Sequence, residues 1–354
     1  MQPEATVIQV PAIVAAGDGK AAKAIHGESK VYLEVAGQPM VARAVLALQH
    51  VPEVPEVWVV GNAERLEEVL TREDVRSRLT KPLFIVPQYA NLLSNAWQTY
   101  RRMLPGAGPA GRDPVDDRER DMRVLYLSAD LPFVVPEELS AFLAAAAELD
   151  ADYVLGLSTE QSMTPFYGDR GRPGIEMAYF HTAEGRVRQN NLHLVRPGRL
   201  GNRQAVEDMY EHRYQKQLGQ MLGLAWRILI NEGGGARMVF YYGLMHLALL
   251  LDRVGLRGVA DRVQQWIPLA KIDRACSSLL RARFRLVVMD LGGCAIDIDN
   301  EHDLEVARAR FDDWIGSLRG QVERLGLARR VAAETGGDGA RIERVQTARE
   351  EGRR

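Results

Sequence analysis

Three aspartates, a lysine and a glycine-rich turn are the residues from which chemistry can be built in this chain. Asp130 stands in Ser128-Ala129-Asp130-Leu131-Pro132-Phe133, directly after the apolar run Val124-Leu125-Tyr126-Leu127. A carboxylate at the end of a strand, with a proline turning the chain away, is set at a cleft where Mg²⁺ would be held beside substrate phosphates. A turn or helix-capping aspartate is the plainer alternative, since Pro136 soon opens a helix. Asp297-Ile298-Asp299 reads as part of a strand, Ala295 to Ile298, on which residues two apart share a face. Two carboxylates there are costly unless a cation pairs with them, which makes Asp299 the first choice of metal ligand and Asp297 the second. Asn300 is expected as the N-cap of the next helix, with Asp303 in its first turn, where negative charge is favoured.

The turn is Ala15-Ala16-Gly17-Asp18-Gly19-Lys20, at the end of the β-branched run Val7 to Val14. Its glycines allow a tight bend and let backbone N–H groups approach phosphate oxygens. It has neither the Gly-Lys-Ser/Thr of a P-loop nor Gly-x-Gly-x-x-Gly, and a simple tight turn is the competing reading. Lys30 follows, ahead of Gly37-Gln38-Pro39-Met40. Ser94 or Asn95, at the head of a helix, can contact a nucleotide base or phosphate, or serve as an N-cap. His26, His193 and His246 lack metal-ligand spacing.

Strands and helices alternate to about Leu157: Val57 to Gly61, Leu83 to Val86, Val124 to Ser128 and Tyr153 to Leu157 are apolar runs with helical patterns between them. That pattern predicts a mostly parallel sheet covered on both faces, with ligands beyond the carboxyl ends of its strands. Gly174 to Val195 reads as strands and turns, and 204–282 as a helical insertion. Strands resume at Phe284 to Met289, and a long helix runs from Glu301 to about Leu318. Residues 5–320 make one domain on this reading, and 321–354 a charged, mobile tail. Met238 to Leu251 is the most apolar stretch. It is too short to span a bilayer, so a buried helix is favoured over one that touches membrane or lipid.

The chain has 354 residues, 46% of them hydrophobic, and a formal net charge of −2. Near-neutrality gives no reason to expect a nucleic-acid partner. Cys276 and Cys294 are too few for a disulfide framework. With no basic leader and no run of about 20 apolar residues, a cytoplasmic protein is expected.

The order Ala15-Ala16-Gly17-x-Gly19, Lys30, Gly37-x-Pro39-Met40 resembles the N-terminal signature of nucleotidyltransferases with a MobA-like NTP-transferase domain. Asp130-x-Pro132 resembles that family's metal-binding motif, and Asp297-x-Asp299 its closing motif. The likeness covers about Val7 to Leu157 and Arg285 to Ala309. It implies a doubly wound, Rossmann-like α/β fold of the nucleotide-diphospho-sugar transferase type, carrying the helical insertion. It further implies Mg²⁺-dependent transfer of NMP from an NTP, GTP or CTP, to a phosphorylated or hydroxylated small-molecule acceptor with release of pyrophosphate. Ala15 to Lys20, Lys30 and Asn95 would contact the nucleotide. Lys30 would be the catalytic cation, stabilising charge on the α-phosphate and the departing pyrophosphate. Lys20 and Lys23 stand where the family often has an arginine. Gln189 to Val195 resembles a family segment that would put Asn191 near the acceptor; two asparagines in a turn is the equal alternative. A nucleotide-sugar-dependent glycosyltransferase and a non-catalytic nucleotide-binding regulator are the rival functions.

Overall fold

The computed structural model describes residues 8–18, 24–203, 235–327 and 341–345. Gly19, Lys20, Lys23, the first part of the expected insertion and most of the expected tail lie outside these residues.

A nine-stranded sheet runs through the chain. Its strands are β1 (Ala12–Ala16), β2 (Val57–Gly61), β3 (Leu83–Pro87), β4 (Val124–Ser128), β5 (Tyr153–Thr159), β6 (Phe180–Thr182), β7 (Gly185–Val195), β8 (Phe284–Met289) and β9 (Ile342–Arg344). The order across the sheet is β8-β5-β7-β4-β1-β2-β3-β9, with β6 paired on β7. β4, β1, β2, β3 and β9 are parallel neighbours. β7 runs antiparallel to both β4 and β5, while β5 and β8 are parallel to each other. The sheet is thus mostly parallel but mixed.

Both faces are covered, as the unbroken apolar runs require. Ala12, Val14, Val57, Val59, Leu83 and Ile85 join one core with the helix α1 (Met40–Gln49). The alternate residues Ile13, Trp58, Val60 and Val86 pack in another, with Tyr100 and Leu104. Tyr100 belongs to a helix at Leu92–Met103. From β1 the chain builds outward through β2 and β3, then returns to the other side of β1 as β4. That reversal opens a crevice at the carboxyl ends of β1 and β4. At the same edge, Gly61 must be glycine, because a Cβ there would lie 2.4 Å from the Ala16 carbonyl oxygen.

Four sequence expectations change. Ala295 to Ile298 is not a strand: a 3₁₀ turn covers Gly293–Ala295, and the backbone that follows joins no sheet. Ile296 and Ile298 are buried with Phe133, Phe166 and Trp314. The alternation of apolar and acidic residues therefore reports inward and outward faces without a neighbouring strand. The helix from Glu301 is two helices, Glu301–Ala309 and Phe311–Arg324. The C-terminal region, expected to be mobile from 321, instead keeps a helix through Arg324 and supplies β9, whose Ile342 packs against the core at the edge of β3.

The apolar helix is the fourth. It spans Gly235–Arg253, and it is not wholly buried: Phe240, Leu247 and Leu250 are exposed, whereas Ala248 is fully buried. Packing against its neighbours, the helices at Arg257–Gln264 and Leu269–Leu280 and the strand β6, leaves Phe240, Leu247 and Leu250 uncovered. Among the described residues no helix is long and apolar enough to cross a membrane.

Candidate active site

The crevice beyond β1 and β4 gathers residues distant in sequence. β1 delivers Ala15, Ala16 and then Gly17 and Asp18. Gln88, next after β3, clamps Asp18: its side-chain oxygen accepts from the Asp18 N–H at 3.1 Å, and its amide donates to the Asp18 carboxylate at 2.7 Å. Asn95 is buried beside this turn, with a Cβ built on Gly17 lying 3.8 Å from its amide nitrogen. Asn95 is not the N-cap. Asn91 fills that role by accepting from the Ser94 N–H, while the Asn95 side-chain oxygen accepts from the Tyr89 N–H. Gln88 escapes a motif search, although its position at the carboxyl end of a parallel strand is a usable signal.

Lys30 opens a 3₁₀ turn whose next residues, Val31 and Tyr32, are buried. This anchors the turn and aims the lysine into the crevice. Its Nζ lies 2.5 Å from Asp130 Oδ2 and 3.1 Å from Asp299 Oδ1. Burial works to lower the Lys30 pKa, but the two carboxylates outweigh it, and the ammonium is held above its ordinary range. Asp130 is buried just after β4, and its other carboxylate oxygen accepts from the Ser128 hydroxyl. Asp299 arrives from a different direction, on the segment after the 3₁₀ turn. The Ile298 N–H donates to the Asp130 carbonyl at 3.3 Å, which ties that segment to the end of β4.

Asp297 and Asp299 do not share a partner. Asp297 Oδ1 accepts from Arg188 Nη2 at 2.9 Å. Burial, and then the charges of Asp130 and Asp299, raise its pKa against the opposing pull of Arg188 and Lys30. Arg188 carries no motif; its only sequence signal is its alternation with Val187 on β7. Asn300 caps the following helix by accepting from the Asp303 N–H at 3.0 Å, and the Asp303 carboxylate accepts from the Asn300 amide at 2.8 Å. This reciprocal pairing fixes the helix start immediately behind Asp299.

Asn191 has a structural partner in the neighbouring segment. It is buried, sits in the left-handed region at φ 57°, and donates from its amide to the Cys294 carbonyl at 3.1 Å. Asparagine tolerates that backbone conformation better than most residues, and here it forms part of the bulge at which β7 shifts register against β5. Its visible work is structural.

The cation chemistry of the crevice is specific. Two carboxylates converge on one buried ammonium, while no group of three or more His, Cys, Asp or Glu among the described residues forms a metal cage. Mg²⁺ is commonly held by one or two carboxylates together with substrate phosphates. The donor set fits that mode and not a dedicated all-protein site.

Residues 12–194, just over half of the chain, match the family model of the MobA-like NTP transferase domain. A hypothetical transferase from Thermus thermophilus shares the fold, with a TM-score of 0.54 at 20% identity over 84% of this chain and 100% of that one. A CMP:2-keto-3-deoxy-manno-octonic acid synthetase complexed with CTP is similar at a TM-score of 0.42 and 12% identity, over 86% of this chain and 99% of that one. The 4-diphosphocytidyl-2C-methyl-D-erythritol synthase of Anaerococcus prevotii has a TM-score of 0.42 at 10% identity, with the same two coverages. No curated protein matches the chain in sequence.

Proposed function

The chain belongs to the MobA-like NTP transferase family, and from that membership we propose that it is a Mg²⁺-dependent nucleotidyltransferase. It transfers NMP from an NTP to a phosphorylated or hydroxylated small-molecule acceptor and releases pyrophosphate. The observation that carries this reading is the convergence of Lys30, Asp130 and Asp299 at the carboxyl edge of the sheet, in the crevice that β1 and its Gly17 turn also enter.

The Gly17 turn and Asn95 would face the nucleotide, with Gln88 keeping the turn in shape through Asp18. Gly19 and Lys20 belong to the same proposed contact set. Asp130 and Asp299 would hold Mg²⁺, and Asp297, the second-choice ligand, lies beside them with its charge offset by Arg188. When bound, the ion would neutralise phosphate charge and polarise phosphoryl oxygens. Lys30, released from its carboxylates, would give its ammonium to phosphate oxygens as negative charge builds on the leaving pyrophosphate. The protein's contribution is positioning and electrostatics, and no covalent nucleophile is needed.

GTP and CTP are the first donors to try. Melting temperature with each of the four NTPs and Mg²⁺ should rise for one of them, because a ligand of the folded state stabilises by mass action. Pyrophosphate should then form from that NTP when a small-molecule cell extract supplies the acceptor. No shift with any NTP would overturn the reading; a shift with a nucleotide-sugar alone would favour a glycosyltransferase.

A further inference from the structure

The segment between β8 and the Glu301–Ala309 helix carries Asp297 and Asp299, yet it belongs to no sheet. Side chains from other elements suspend it. The Ser158 hydroxyl on β5 donates to the Leu291 carbonyl at 2.6 Å, and the Cys294 N–H donates to Glu138 Oε2 at 3.0 Å. Asn191 on β7 donates to the Cys294 carbonyl, as described above. Arg188, also on β7, is the side chain that holds residues 295–297: its Nε donates to the Ala295 carbonyl at 2.9 Å and its Nη2 to Asp297 at 2.9 Å. One planar guanidinium thereby grips the segment at both backbone and side chain, with its two donors fixed in a rigid fork that the single rotatable nitrogen of an ammonium lacks.

Beyond Asp297, the Ile298–Asp130 contact at 3.3 Å is a long hydrogen bond for a backbone donor. Lys30 bridges the Asp299 and Asp130 carboxylates and the Asp303 carboxylate accepts from the Asp299 N–H at 3.3 Å, while Arg188 fixes residues 295–297, from which the chain leads into Asp299. Arg188 touches neither Lys30 nor Asp299 in the structure; its effect on them passes through the chain. It also places a positive charge on Asp297, whose carboxylate repels both Asp130 and Asp299.

We propose that Arg188 is a positioning residue for the Lys30–Asp130–Asp299 cluster, and through it sets the affinity for a divalent cation with an NTP without contacting either. The cation part rests on the nucleotidyltransferase reading; the positioning part does not. Outer contacts of this kind change metal affinity by about 10–100-fold when removed.

Two readouts separate these parts. The first is acylation of Lys30 by an amine reagent in metal-free protein, followed by mass spectrometry. Arg188→Gln should speed it about tenfold, because a displaced Asp299 leaves the ammonium less well held. The second is Mn²⁺ binding in the presence of each NTP, followed by electron paramagnetic resonance. Its dissociation constant should rise at least tenfold, with KM for Mg²⁺–NTP rising in step and kcat at saturation changing less than threefold. Arg188→Lys keeps the charge but loses the rigid fork, so it should fall between wild type and Arg188→Gln in both assays and guards against a glutamine variant that does not fold. Unchanged Lys30 acylation and unchanged Mn²⁺ binding in either folded variant would overturn the proposal. If wild type binds no Mn²⁺–NTP while acylation responds as expected, the enzymatic reading fails and the positioning role stands.

Discussion

The Lys30 ammonium lies 2.5 Å from the Asp130 carboxylate, at the carboxyl end of the strand that follows the sheet's reversal. Lys30 comes from the N-terminal motif and Asp130 from the far side of the central strand. Asp299 completes the arrangement at 3.1 Å from the same nitrogen. A cation is thus already present between two carboxylates before any metal arrives. The lysine that would assist chemistry also stabilises the resting site.

Lys30→Met should therefore damage more than turnover. It leaves buried Asp130 without its ammonium, and breaking a buried ion pair by removing one partner costs about 3–5 kcal/mol, less where a partner reaches solvent. Asp299 is 44% exposed, so a loss of about 2–3 kcal/mol is expected. Urea denaturation without divalent ions should show it, and millimolar Mg²⁺ should return part of the stability. Turnover should fall at least about 100-fold. A variant as stable as wild type in chelator would mean that the Lys30 pair contributes nothing.

Asp130→Asn and Asp299→Asn test the carboxylates separately. From sequence alone, two facing carboxylates repel, and removing one charge would stabilise the metal-free protein. With Lys30 between them the expected sign reverses. Both variants should melt lower without ligand, Asp130→Asn more so, since its side chain is 7% exposed against 44% for Asp299. Both should also show a smaller melting shift on adding Mg²⁺–NTP. Full shifts in both would move the cation elsewhere.

Much of this was readable in advance. The apolar runs of β1 to β4 gave a mostly parallel sheet, and the proline after Asp130 marked the end of a strand at a cleft. What escaped reading depends on non-local contacts. Asp297-Ile298-Asp299 has the period of a strand because Ile296 and Ile298 face a core, and period two cannot reveal that no strand lies alongside. Arg188 and Gln88 act through partners more than 65 residues away, at |i−j| of 109 and 70. The Gly235–Arg253 helix looked buried because composition alone does not say which sides of a helix find partners.

Asn191 discriminates between a structural and an acceptor-binding role. Asn191→Gly keeps the left-handed backbone and loses the hydrogen bond to Cys294. It should cost about 1 kcal/mol, and Asn191→Ala more, because φ 57° strains alanine. The acceptor KM should move only as far as that of the NTP. A selective rise in acceptor KM at unchanged stability would restore the acceptor role.

Glu138 sets a pH dependence. It is fully buried in the first turn of the helix Pro136–Ala147, with Oε2 accepting from the Cys294 N–H and Oε1 lacking a hydrogen-bond partner among the described residues. Burial raises its pKa from 4.5 to about 7, against the opposing hydrogen bonds from Cys294 and Gly293. A carboxyl whose folded pKa exceeds its unfolded one binds its proton more tightly when folded. Its contribution is complete below about pH 4.5 and is lost as pH rises through about 7. Between about pH 5.5 and 8.5 the loss should be about 2 kcal/mol. Glu138→Gln carries no charge at any pH and should escape this loss. The measurement is unfolding free energy in urea at intervals across that range. The wild-type curve should fall relative to the variant's by about that amount, and parallel curves would show that Glu138 ionises normally in the folded protein.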